Sequence, residues 1–194
     1  MTDVYRRALS LTLLTGIFVL PGCGEAEPEI TDDENEALLN AGLSSTPFIF
    51  DGVTAPALTD PGPDDLPQDT EVIGVICNGT ARAYATRSML GAAAHVVNDT
   101  FGDSPISVTF CDRTNCVRVL TVPGDSLQKE IHLQTGGFAG GEMLLRLNET
   151  MFPHSSENIP LEDYEFELTT WKEWKTEHAE SKLYDTEMAG KSVN

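Results

Sequence analysis

The side chains best suited to chemistry are two cysteines five residues apart, Cys111 and Cys116, a histidine one segment upstream, His95, and a further soft donor, Met143. Thiolate, imidazole and thioether together suit copper or another transition metal, or iron in a haem-like role. Cys111 and Cys116 bracket the short polar turn Asp112-Arg113-Thr114-Asn115, so their sulfurs could converge on one ion. The spacing matches no zinc pattern, and no Cys-x-x-Cys-His haem attachment is present. The same two cysteines support a second reading: at the base of a hairpin they are commonly close enough for a disulfide. A third reading leaves them as free thiols.

Nucleophilic catalysis needs a base beside the nucleophile and a group that orients the base. Cys111, His95 and Asp99 could supply those three roles in a thiol-dependent hydrolase. His154 and Ser155 form a second His/Ser pair, in a polar insertion between strands, but no oxyanion-hole motif surrounds the serine. The glycines from Gly136 to Gly141 lack the lysine and the helix opening of a phosphate loop and read as turns, or as close backbone approach. Trp171 and Trp174, with Tyr84 and Phe166, read as core residues.

These groups must be held by regular elements, and the sequence predicts them as follows. Residues 71–77 and 80–85 are β-prone runs joined by Asn78-Gly79, a strong hairpin signal. Met89, Leu90, Ala93, Val96 and Val97 recur at helical spacing, predicting a short helix over 86–97 that stops at Asn98-Asp99-Thr100 and carries His95 near its end. Ile106, Val108 and Phe110 alternate with polar residues, and residues 116–122 alternate likewise, predicting a second hairpin with a cysteine at each base. Further strands are expected at 129–134, 142–147 and 164–168. Thr170 and Glu173 form a capping box that opens a helix in which Trp174 and His178 share a face. The fold class expected is α+β, a mainly antiparallel β single domain with two short helices.

The chain begins with Arg6-Arg7, an apolar run over 8–20, and Leu20-Pro21-Gly22-Cys23. That order is a basic, apolar and small-residue leader, too short for a membrane-spanning helix of roughly twenty residues. The last four residues resemble a bacterial lipobox, which makes Cys23 the expected lipidation site and first mature residue. Residues 1–22 are then a lipoprotein signal peptide, 23–69 an acidic, Pro-rich tether, 70–185 the folded domain and 186–194 a flexible tail. The expected location is the cell envelope, with the membrane as partner through the lipid anchor, facing the periplasm or cell exterior. The formal charge is −19; losing Asp3, Arg6 and Arg7 (one acid, two bases) moves it to −20. Such a charge repels phosphate backbones, and no basic, aromatic-interleaved stripe offsets it, so no nucleic-acid partner is expected. With Cys23 acylated, Cys77, Cys111 and Cys116 remain in an oxidising compartment that permits disulfides. Their odd number leaves at least one free, metal-bound or paired with another chain.

The run Val96-Val97-Asn98-Asp99-Thr100-Phe101-Gly102 followed by Val108-Thr109-Phe110-Cys111 resembles a bacterial domain-of-unknown-function family, number 3179. The pieces Ile73-Gly74-Val75, Ala81-Arg82-Ala83-Tyr84 and Leu168-Thr169-Thr170-Trp171-Lys172-Glu173-Trp174 flank it in the order that resemblance implies. It implies exported, often lipid-anchored members. It also implies a histidine just before the Val-Asn-Asp segment, matched by His95, and a cysteine after the strand, matched by Cys111. Many members place a second cysteine three residues on, whereas Cys116 lies five beyond Cys111. The function expected is a non-catalytic binding or scaffolding module for an unknown envelope protein or small ligand. The alternatives are a metal-binding or redox protein using Cys111, Cys116 and His95, and the thiol-dependent hydrolase.

Overall fold

The computed structural model describes residues 48–124 and 126–191, and the chain there is mostly β. The strands are β1 (Phe50–Asp51), β2 (Val53–Thr54), β3 (Leu58–Thr59), β4 (Glu71–Cys77), β5 (Thr80–Ala85), β6 (Val96–Phe101) and β7 (Ser104–Cys111). They continue with β8 (Cys116–Thr121), β9 (Gln134–Ala139), β10 (Glu142–Leu147), β11 (Thr150–Pro153), β12 (Glu162–Asp163), β13 (Glu167–Thr170) and β14 (Lys182–Tyr184). Two short helices, α1 (Trp171–Glu177) and α2 (Thr186–Lys191), lie near the end. The strands form three sheets, ordered β1-β9-β10-β11, β12-β8-β7-β6-β2 and β13-β4-β5-β14-β3. Pairing is antiparallel except for β2 with β6 and β5 with β14.

Alternation of side chains stacks the sheets. Along β7, Ile106, Val108 and Phe110 meet Ile73, Val75 and Tyr84 of the β4-β5 sheet, while Cys111, with Val96 and Leu120, meets Met143 and Leu145 of the β9-β10 sheet and Leu133, which leads into β9. The middle sheet is therefore buried on both faces, and β7 is buried along nearly all its length. On the far face of the β4-β5 sheet, Val72, Ala83 and Leu183 pack against Trp171 and Trp174 of α1. The tryptophans are core residues, as their sequence context predicts. The Trp174 ring lies so close over Gly74 that a Cβ there would run into it, which is why this strand position has no side chain.

Where side chains dictate the backbone locally, the expected elements form. Asn78 (φ 50°) and Gly79 (φ 74°) make the first hairpin turn, and Gly140 (φ 62°) and Gly141 (φ 89°) make the β9-β10 turn. Both need a left-handed backbone, which Asn and Gly tolerate. The Thr170 hydroxyl accepts from Glu173 N while the Glu173 carboxylate accepts from Thr170 N, so the capping box is complete.

Several expectations are corrected. No helix covers 86–97: a 3-10 turn ends at Met89, Gly91 takes φ 85°, and the Val96-Val97 pair opens β6. Asn98 and Asp99, expected to stop that helix, are buried mid-strand. The strand expected at 129–134 begins only at Gln134, because Asn98 takes the place of a neighbouring strand for Leu133. Its Nδ2 donates to Leu133 O (2.9 Å) and its Oδ1 accepts from Leu133 N (3.3 Å). Gly136 sits within β9 as the extra residue of a bulge, since Leu144 faces Gly137 and Leu145 faces Thr135. The strand expected at 164–168 runs over Glu167–Thr170. The stretch 48–69, read as tether, contributes β1, β2 and β3 to all three sheets, and the stretch read as tail contains α2. Cys23 and residues 1–22 lie outside the described residues. Among those described, no helix is long and apolar enough to cross a membrane.

Candidate functional site

The β7-β8 hairpin sets Cys111 opposite Cys116, as their spacing predicts. The disulfide is not formed: Cys77, Cys111 and Cys116 are free thiols. Cys111 is sunk into the apolar cluster between the middle sheet and the β9-β10 sheet, whereas Cys116 is only half-buried and stands outside that cluster. Cys77 belongs to the other core, beside Ile73 and Phe110.

Three of the four candidate donors line one cleft. A cleft of about 390 Å³ opens between the end of the middle sheet and the β9-β10 sheet, lined by His95, Cys111, Asp112, Phe138 and Met143, with Phe50 at its mouth. Each arrives on a different element. His95 comes from the residue before β6, Cys111 from the end of β7, Asp112 from the hairpin loop and Met143 from β10. His95 is fixed by its backbone, whose carbonyl accepts from Phe110 N at 2.9 Å. Arg113 closes one rim by stacking its guanidinium 3.8 Å above the Phe138 ring. Cys116 does not line the cleft.

The side chain of His95 is 10 % exposed, and neither ring nitrogen has a hydrogen-bond partner within the protein. Buried polar atoms are ordinarily paired, so an orphaned imidazole marks a place where something else supplies the partner. Asp112 Oδ1 lies 3.2 Å from Nε2, close enough for attraction but without hydrogen-bond geometry; its other oxygen accepts from Gly91 N at 3.3 Å. Nδ1 likewise has no hydrogen-bond partner within the protein.

Behind the cleft sits a histidine that the sequence places in a solvated insertion. His154 is 97 % buried, and its backbone N–H donates to Met143 O at 2.8 Å. The Thr109 hydroxyl donates to Arg118 O (2.7 Å) and must therefore accept from His154 Nε2, also at 2.7 Å, which fixes the neutral Nε2-H tautomer. Burial, and then the positive charge of Arg118, pull this imidazole down to about 4; His95 adds to the shift and Asp163 opposes it. Between 6.5 and 4 the unfolded chain binds the proton that the folded chain refuses, so stability falls as the pH drops through that window. At 1.36 kcal/mol per pH unit the loss attributable to His154 approaches roughly 3 kcal/mol below pH 4. Urea unfolding at pH 7 and pH 4.5 should show a smaller acid loss for His154→Gln than for the wild type. Equal losses would remove His154 as the cause. Ser155 is tied to Glu142 instead, its hydroxyl donating to Glu142 Oε1 at 3.1 Å, so the His154-Ser155 pair forms no nucleophile and base.

Nor are Cys111, His95 and Asp99 assembled. Asp99 faces the opposite side of the middle sheet, where its carboxylate accepts from the Tyr84 hydroxyl (2.7 Å) and pairs with Arg82 (2.7 Å). Burial, then the Asp99 charge, push the Tyr84 hydroxyl well above its ordinary range. A larger cavity of about 570 Å³ opens beside this pair, yet Arg82 is matched there by Asp99 and His132 lies 3.4 Å from Glu130. Its charged groups are satisfied by one another, so the smaller cleft with the unpartnered imidazole is the stronger site. Among the described residues, the three His, Cys, Asp or Glu ligand atoms that lie within 4.8 Å of one another belong to exposed Glu167, exposed Glu177 and His178. The His178 ring stacks on Trp174, with centroids 4.1 Å apart.

A family model described as "Protein of unknown function (DUF3179)" matches residues 47–158, which include every residue lining the cleft. No curated protein and no solved structure gives a significant match.

Proposed function

The chain belongs to the DUF3179 family, and we propose that it is a lipid-anchored cell-envelope binding module whose ligand sits in the His95-Cys111-Met143 cleft. We read its folded part as one α+β domain, since the middle sheet shares a core with each of the other two. The observation that carries the binding reading is the buried His95 imidazole with no partner in the protein, at the wall of a mostly apolar cleft. A non-catalytic role is favoured because the carboxylate that the thiol-hydrolase reading needs, Asp99, is committed to Tyr84 and Arg82 across the sheet.

The anchor reading rests on the leader and Cys23. From Cys23 the chain has 24 residues to Phe48, at most about 80 Å of reach, and it enters the described part at the cleft mouth beside Phe48 and Phe50.

One experiment with two arms tests this. The wild type should be recovered from the membrane fraction and Cys23→Ser from the soluble fraction. Native mass spectrometry of the extracted wild type should show an adduct that Ala92→Phe, which plugs the cleft wall, lacks. Identical fractionation would remove the anchor; a wild type without adduct, or an adduct indifferent to Ala92→Phe, would remove the cleft.

A further inference from the structure

The cleft is lined by one nitrogen and two sulfur donors and by a single carboxylate, Asp112. His95, Cys111 and Met143 line it together, and the last two are almost wholly buried, at 1 % exposure each. Thioether and thiolate donors select soft cations, copper(I) foremost, and discriminate against calcium and magnesium. Met143 sits in β10, whose backbone is fixed on both sides by β9 and β11, so its sulfur is presented by a rigid element.

We infer that the cleft ligand is a copper(I) ion, bound by His95 Nδ1, Cys111 Sγ and Met143 Sδ. The inference deepens the binding reading above and rests on it. Asp112 is a positioning residue: its carboxylate, 3.2 Å from Nε2, accepts from that nitrogen once the ion has adjusted the ring, which leaves Nδ1 as the donor atom. The ion binds the Cys111 thiolate, so its arrival releases the thiol proton and involves no change of oxidation state. His95, Cys111 and Asp112 do not share a 4.8 Å shell, so the ion draws the donors inward by a side-chain adjustment. Apolar Phe138 and the Arg113-Phe138 stack then cover one side, which keeps water from a soft ion. Cys116 takes no part, although it lies directly across the ladder from Cys111.

The probe is copper(I) itself, titrated without oxygen into the full chain carrying Cys23→Ser, against a coloured copper(I) chelator. One ion per chain should be retained, with a thiolate-to-copper absorption band in the near ultraviolet. In that background Cys111→Ser should abolish the band, and His95→Gln and Met143→Leu should each weaken retention at least tenfold. Cys116→Ser and Cys77→Ser should leave it unchanged. Met143→Leu keeps volume and apolarity and so keeps the fold, which near-ultraviolet circular dichroism checks. Retention indifferent to Cys111→Ser and Met143→Leu, or lost equally in Cys116→Ser, overturns the site. If copper(I) is not retained while native mass spectrometry shows an organic adduct sensitive to Ala92→Phe, the metal assignment fails and the cleft reading stands. If neither is seen, both fail.

Discussion

Asp99→Ala is expected to remove about 3 to 5 kcal/mol of folding stability, because it strips one partner from a buried ion pair and leaves the other. The carboxylate accepts from the Tyr84 hydroxyl and from the Thr100 N–H and forms an ion pair with Arg82, each at 2.7 Å. Tyr84 is fully buried, so its hydroxyl has no water to turn to. Arg82 fares better: its side chain is 19 % exposed, it donates to Thr100 O at 3.1 Å, and it stacks 4.3 Å over Phe101. The larger share of the penalty therefore falls on Tyr84, and a double-mutant cycle separates the two. In a Tyr84→Phe background the Asp99→Ala loss should shrink by about 1 to 3 kcal/mol. Urea unfolding of the four chains supplies the numbers. A single-mutant loss below about 1 kcal/mol would mean that the network is not holding the two sheets together.

That network also shows what a sequence can and cannot disclose. The hairpin at Asn78-Gly79, the β7-β8 hairpin and the Thr170 capping box are legible because a turn residue or a cap acts on its immediate neighbours. The strand β6 is not, since Met89, Leu90, Val96 and Val97 happen to recur at helical spacing. What breaks that pattern is the left-handed Gly91 and the demand of a sheet buried on both faces. The strands β1 to β3 are hidden for a different reason. Each is two residues long and pairs with a distant partner, Phe50 with Thr135, Val53 with Val97 and Leu58 with Tyr184, so no local period exists to read. Of the site, donor type alone singles out His95, Cys111 and Met143, and the structure unites them. Sequence proximity draws in Cys116 as well, which pairs with Cys111 across the ladder but does not line the cleft. His154 is read as part of a solvated insertion because Pro153 and the serines after it look polar and turn-like, whereas it is buried. Its partner Thr109 lies 45 positions away on a strand whose polar residues would otherwise face apolar surroundings. A strand buried on both faces that still carries Ser107 and Thr109 is the signal that polar partners must come from elsewhere in the chain.

The same logic gives the second large effect, at the point where the folded part was expected to end. Asp185 is fully buried and serves three groups at once: Arg87 Nε donates to Oδ2 at 3.1 Å, Ser88 Oγ donates to Oδ1 at 3.1 Å, and Glu187 N donates to Oδ1 at 3.0 Å. The last contact caps α2, and Ser88 in turn accepts from Thr186 N at 2.9 Å, so helix and 3-10 turn are locked through one carboxylate. Asp185→Ala should lower stability by about 3 to 5 kcal/mol, through the stranded Arg87 and Ser88 and through the lost cap, the cap alone being worth about 1 kcal/mol. Arg87 is 27 % exposed and can recover some hydration, which places the loss toward the lower bound. Asp185→Asn keeps an acceptor for the Glu187 N–H and should retain the cap while losing the attraction for Arg87. Hydrogen exchange can distinguish the parts. In Asp185→Ala the amides at the start of α2 and that of Thr186 should exchange far faster than in Asp185→Asn, whereas amides of β4 and β5 should follow only the global loss. Matching exchange at α2 in the two variants would show that the carboxylate acts through Arg87 alone and that the helix is held by other contacts.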